Sequence, residues 1–180
     1  MIATILPSSS NFHAVDYNER KVVQGKAELL QITNFGFVGA VGKYTPDDLK
    51  QYLVEYSSRI NKRIRKPQFH LAISCRGDEY TKEQLMDFAH QYLREMGYAE
   101  EGQPLLIYSH HDTANNHIHI ITSRVAPDGH KIDHNHERIH SQQVINKLLD
   151  QDISQKVQQM LAQALQYRFA SLSQFKAILE

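Results

Sequence analysis

The stretch YSHHDTANNHIHIITSRV, residues 108–125, puts four histidines and an aspartate within twelve positions and then runs into an apolar strand. Side chains two residues apart on a strand share a face. His117 and His119 therefore project together, while Ile118 and Ile120 point the other way. If PLLIYSH (104–110) and HIHIITSRV (117–125) pair as a hairpin across 111–116, His110 lies opposite His117, with Cβ atoms about 4.5–5.5 Å apart. Three imidazoles then converge on one sheet face, each able to reach a shared ion at about 2.1 Å. Three neutral ligands leave coordination positions open, as catalytic sites do and structural ones do not. Asp112, two residues after His110, is placed to accept the outer N–H of a ligand histidine and fix its tautomer. The competing reading is a polar sheet face with surface histidines.

Outward from this hairpin the chain alternates between strand and helix signals. IATIL (2–6) reads as a short strand, FHAVDYNERKV (12–22) as one or two helical turns, and 27–32 as an apolar run after a break at Gly25. GFVGAVGKYT (36–45) holds three glycines and reads as a flexible loop. TPDDLKQYLVEYSSRINKRI is the clearest helix start, with Thr45 as N-cap, Pro46 at the first position and two aspartates in the first turn. FHLAISC (69–75) reads as a strand, and TKEQLMDFAHQYLREMGY as a helix with Thr81 as cap and Gly97 as stop. PDG (127–129) is a turn. From Ser141 to about Tyr167 the pattern is helical, and a short helix closes the chain. The mixture lacks a regular βαβ rhythm, so the expectation is an α+β fold with a mainly antiparallel sheet.

The 180 residues suit one domain, with no internal repeat. Apolar residues make up 41% and the 20 basic side chains balance the 20 acidic ones. Zero net charge argues against a protein that coats nucleic acid by bulk electrostatics. The one cysteine, Cys75, excludes an internal disulfide framework and a cysteine-based zinc site. No signal peptide and no membrane-length apolar run is present, so a reduced, cytoplasmic setting without membrane insertion is expected. RINKRIRK (59–66) is the one basic run, read either as a solvated helix end or as a phosphate-backbone contact. A second histidine group, His130, His134, His136 and His140 in HKIDHNHERIH, has no apolar strand behind it and reads as a loop on the exposed flank of the site. The sequence contains no H-E-x-x-H, no H-x-H-x-H, no P-loop and no G-x-S-x-G.

HHDTANNHIHI resembles the third motif of relaxases of the MobA type, mobilisation nucleases of the HUH (histidine–hydrophobic–histidine) superfamily, where it runs H-x-D-T-x-N-x-H-x-H. His110, Asp112, Thr113, Asn115, His117 and His119 fall on that pattern. FHAVDYNERK looks like the first motif, F-x-x-x-x-Y followed by basic residues, in which Tyr17 would be the nucleophile. FHLAISCRGDEYTKEQ looks like the second, H-x-x-x-S before an acidic turn and a helix, with Ser74 near the DNA. The resemblance covers residues 1 to about 135. It implies a sheet of about five strands with a ferredoxin-like palm, helices packed on one face and the DNA cleft on the other. The domain would be 1–180, with 141–180 a helical C-terminal part, at the head of a longer bacterial polypeptide.

The resemblance also implies a chemistry. A relaxase cuts one strand and must later rejoin it, so the bond energy is kept in a 5′-phosphotyrosyl link. His110, His117 and His119 would hold a divalent cation that neutralises the phosphate. Three histidines suit Mn²⁺, Zn²⁺, Co²⁺ or Ni²⁺ better than Mg²⁺. Apart from the resemblance, Asp16 and Lys21 stand close enough to Tyr17 in sequence to tune the phenol, Lys21 is also a candidate DNA contact, and Arg124 reads as a phosphate contact or a solvated surface residue. The partners implied are single-stranded DNA at an origin of transfer with its hairpin, accessory mobilisation proteins and a coupling protein. Two rivals share the histidines. Rolling-circle initiators and single-strand transposases place the tyrosine later, where Tyr167 stands in ALQYRFA. A binding module would use the ion structurally and form no covalent adduct.

Overall fold

A computed structural model of the chain describes residues 1–36, 44–166 and 171–179. The strands are β1 (Ile2–Leu6), β2 (Ala27–Thr33), β3 (Gln68–Ser74), β4 (Leu105–His110) and β5 (His117–Ser123). The helices are α1 (His13–Val23), α2 (Pro46–Asn61), α3 (Lys82–Glu95), α4 (Glu137–Ala164) and α5 (Leu172–Leu179). The strands form one antiparallel sheet in the order β1-β3-β5-β4-β2. The fold is α+β, as expected. The glycine-rich loop falls mainly outside the described residues, and Tyr167 falls outside them entirely.

The strand that carries His117 and His119 is the central one, hydrogen-bonded on both sides. Its pairing with β4 sets His110 opposite His117 and Tyr108 opposite His119. Pairing with β3 sets Ser74 opposite His117 and Ala72 opposite His119. One cross-strand row therefore reads Ile2, Ser74, His117, His110, Ala27.

Helices divide between the two faces of the sheet rather than gathering on one. On the histidine face, Phe12, Ala14 and Val15 around α1 and Leu49 and Leu53 of α2 pack with Phe35 on Leu106, Tyr108 and Ile121. Full burial of each Leu or Phe there stabilises by about 1.5–3 kcal/mol. The other face is apolar too, because Ile107, Ile118 and Ile120 alternate with the residues just named. There α3 covers the sheet with Leu85, Phe88, Ala89, Tyr92 and Leu93, all buried. His90 Nε2 lies 2.8 Å from Gln31 Oε1, and Phe69 stacks on Tyr98 at 4.0 Å.

Local signals set most boundaries. Thr45 and Thr81 both close capping boxes, at α2 with Asp48 and at α3 with Gln84. Gly97, at φ +80°, follows α3 as its stop. Helix α1 is longer than the sequence suggested and has no side-chain cap of its own, since Phe12 stands left-handed at its N-cap. Its end is satisfied from β3: Gln68 Oε1 accepts from Ala14 N and Ser9 Oγ, both at 3.0 Å, while Gln68 Nε2 donates to Pro7 O.

The chain divides into two compact units, Met1–Ile145 and Asn146–Glu180. The first holds the whole sheet, α1 to α3 and the start of α4. The second is helical. Helix α4 begins at Glu137, four residues before the expected start, so His140 is helical and not in a loop. The reason is tertiary: Glu137 is bound by Arg124 and Tyr98, which fixes the first turn. No described helix is long and apolar enough to cross a membrane.

Candidate active site

Three histidines meet where β4 ends and β5 begins. One ligand atom each from His110, His117 and His119 lies within 4.8 Å of the others. His110 and His119 are buried and stack at 4.1 Å between ring centroids, and His117 closes the set edge-on.

Each ring has its outer nitrogen held by the protein, and the inner Nδ1 of His110 also has Lys21 Nζ at 3.5 Å. His110 Nε2 lies 2.6 Å from Asn18 Oδ1, so that nitrogen donates and Nδ1 keeps its lone pair. His119 Nδ1 lies 2.9 Å from His70 Nε2, leaving its own Nε2 free. His117 Nδ1 donates to the Asn115 carbonyl at 3.0 Å, leaving Nε2 free. The free nitrogens are the ones that can share an ion, and the outer ones fix tautomer and ring orientation.

The loop 111–116 is laced to the turn after β3. Asn115 Oδ1 accepts from Gly77 N, Asn116 Nδ2 donates to Tyr80 O, and Cys75 N donates to Asn116 O. Thr113 Oγ donates to Asn115 O at 2.9 Å. Thr113 and Asn115 of the motif thus build the loop that orients His117.

Helix α1 lies over this end of the sheet and brings Tyr17, half-buried, to the histidines. Its ring centroid is 6.0 Å from those of both His110 and His119. Lys21, one turn on, has Nζ 4.8 Å from the Tyr17 ring and donates to Asp112. Asn18 shares the helix, so one rigid element carries the tyrosine, the His110 anchor and the lysine.

The nuclease domain of MobA/VirD2-like relaxases matches residues 17–153. The chain belongs to this relaxase family. No curated protein and no solved structure matches it. The matched span opens on Tyr17 and takes in all three histidines.

Burial in the relaxase favours the neutral form of His110, His119 and His70. Burial pushes the His110 pKa down to about 4, helped by the Lys21 and His117 charges, and pushes His70 down to about 4. His119 is lowered further, by burial first and then by the neighbouring histidines. Neutral rings with free lone pairs are what a divalent cation needs. Tetrahedral ligands at about 2.1 Å from an ion stand about 3.4 Å apart, so the donor set fits a cation within side-chain adjustment. Burial opposes the Lys21 charge, but hydrogen bonds to Asp112 and Tyr17 outweigh it and raise its pKa. The Lys21 ammonium holds the Asp112 carboxyl below the usual range.

Three expectations change in the relaxase structure. Asp112 is not at the outer nitrogen of any ligand histidine. Its Oδ1 faces the inner ones, 3.9 Å from His110 Nδ1 and 3.8 Å from His117 Nε2, because Lys21 draws it inward. The orienting partners are Asn18, His70 and the Asn115 carbonyl instead. His70 belongs to the second motif, which gave it no role; its signal is that His70, two residues before Ala72, shares the face Ala72 presents beside His119. Asn18 had only its place next to Tyr17.

Arg124 stands at the far end of β5. It is 5% exposed, bidentate to Glu137 at 2.6 and 3.0 Å, and 3.1 Å from Tyr98 Oη. That guanidinium is a buried tie and not a phosphate contact. His130, His134 and His136 follow it at the same end, so they do not flank the metal-ligand triad. Ser74 does lie beside His117, in the same cross-strand row.

Proposed function

We propose that this relaxase nicks one DNA strand at an origin of transfer with Tyr17 as the nucleophile. The supporting observation is the seat of Tyr17, 6.0 Å from the rings of both His110 and His119 and beneath the Lys21 ammonium. The Tyr17 oxygen attacks phosphorus, an O–P bond forms, and the P–O3′ bond breaks. The products are a 5′-phosphotyrosyl protein and a 3′-hydroxyl that has taken up a proton. Attack by a 3′-hydroxyl reverses the step.

A divalent cation held by His110, His117 and His119 would supply Lewis-acid neutralisation of the scissile phosphate. Lys21 places a fixed positive charge beside the phenol oxygen as it reacts, and Asp112 holds Lys21 there. Asn18 and His70 keep the free histidine nitrogens inward. Ser74 offers a hydroxyl donor at the rim. The setting proposed is the bacterial cytoplasm, with accessory mobilisation and coupling proteins as partners.

Trapping the intermediate tests the reading. Labelled single strands carrying a hairpin and a randomised stretch are mixed with the protein and Mn²⁺, and label surviving SDS is scored. The adduct is expected to vanish in Tyr17→Phe and His117→Ala and to persist in Tyr167→Phe. An adduct that persists without Tyr17 sinks the assignment.

A further inference from the structure

Two basic segments of the sequence remain unused by the active site, and the fold brings them together. RINKRIRK ends at Lys66, just before β3, and HKIDHNHERIH supplies Lys131, His134 and Arg138. All four line one cavity of about 530 Å³ with Pro7 and Ser8. The cavity lies at the end of β3 and β5 opposite the histidines, and seven-residue strands at about 3.3 Å per residue put it about 20 Å away.

Its charge is positive although the chain's is zero. Glu137 also lines the cavity, but its carboxylate is compensated by Arg124 in the buried bidentate pair. Among the described residues, Lys66 and Arg138 pair with no carboxylate. Lys131 Nζ is 3.0 Å from His134 Nε2 and, among the described residues, also pairs with no carboxylate. Exposed Lys62, Arg63 and Arg65 continue the same sign away from Lys66. A concave site lined by uncompensated cations suits a phosphate better than any neutral ligand.

We infer that this cavity is a second phosphate site of the relaxase, gripping the backbone of the DNA strand remote from the scissile bond. The identification of the anion as DNA rests on the relaxase reading. At about 3.4 Å per stacked nucleotide, 20 Å places the gripped phosphate about six nucleotides from the cleaved one. Such a grip carries no base information, so it fixes position and adds salt-dependent affinity.

The test uses the full chain carrying Tyr17→Phe, without metal, and a fluorescein-labelled 25-nucleotide single strand of mixed sequence. Binding is followed by anisotropy from 50 to 200 mM salt. Adding Lys66→Gln with Arg138→Gln is expected to weaken binding about tenfold and to reduce the salt slope by about 0.7, the value for one single-strand phosphate no longer neutralised. The control pair Lys82→Gln with Arg94→Gln, on α3, is expected to change neither. Unchanged binding in the cavity variant overturns the proposal, as does an equal loss in the control. Saturable binding of inorganic phosphate that depends on Lys66 and Arg138, with the DNA slope unmoved, also overturns it in favour of a small-anion site. Because nothing is cleaved, this result stands apart from the adduct assay, and either can fail without the other.

Discussion

At the scale of single residues, the ligand histidines owe their aim to groups supplied by other elements. Asn18 is buried and its amide is used twice, accepting from His110 Nε2 and donating to Ala14 O. Losing such an outer partner typically costs about 10–100-fold in metal affinity. Asn18→Ala is expected to weaken Mn²⁺ binding by that factor in calorimetry, and Asn18→Asp, which keeps the acceptor, to restore most of it. Equal weakening by both variants would contradict the orienting role. The triad itself was legible because strand alternation and a short hairpin fix which side chains face one another. Asn18 and His70 were not legible as orienting groups. Their importance comes from α1 and β3 docking against the hairpin, a tertiary fact that no local pattern encodes. Asp112 was misread for the same reason, since its orientation follows Lys21 on a distant helix.

Among the elements, those with self-contained ends were read well. Thr45 and Thr81 cap through residues three positions on, so α2 and α3 announce themselves. Helix α1 was undercounted because its cap arrives from Gln68, and α4 began early because Arg124 reaches Glu137 across the turn 127–129. That ion pair holds the start of α4 to the sheet and has little water around it, with side chains 6% and 12% exposed. Removing one partner of a buried pair costs about 3–5 kcal/mol, whereas replacing both with apolar groups is often neutral. Arg124→Ala should therefore lower the urea midpoint strongly. Arg124→Met combined with Glu137→Leu should recover most of the loss while leaving the phosphotyrosyl adduct unaffected. A mild effect of Arg124→Ala alone would return the arginine to the surface role.

For the whole molecule, the sheet is packed on both faces by apolar side chains. Chelation is expected to leave the far-UV circular dichroism intact. A ligand at about 100 times its Kd stabilises by about 2.7 kcal/mol, so adding Mn²⁺ at that level should raise Tm by roughly 5–10 °C for a chain of this size. Loss of secondary structure on chelation would instead mark a structural ion. Packing on both faces was not legible, because the apolar alternation in β4 and β5 shows two buried faces without saying which helix covers which. Gln68 links the two ends of this architecture. Its amide bonds Pro7, beside the basic cavity, and Ala14, at the head of the helix that bears Tyr17. Were a strand lodged in that cavity as proposed, a pull on it would be carried through Pro7, Gln68 and Ala14 in series. The scaffold would then take up tension along the DNA before the proposed Tyr17 linkage did.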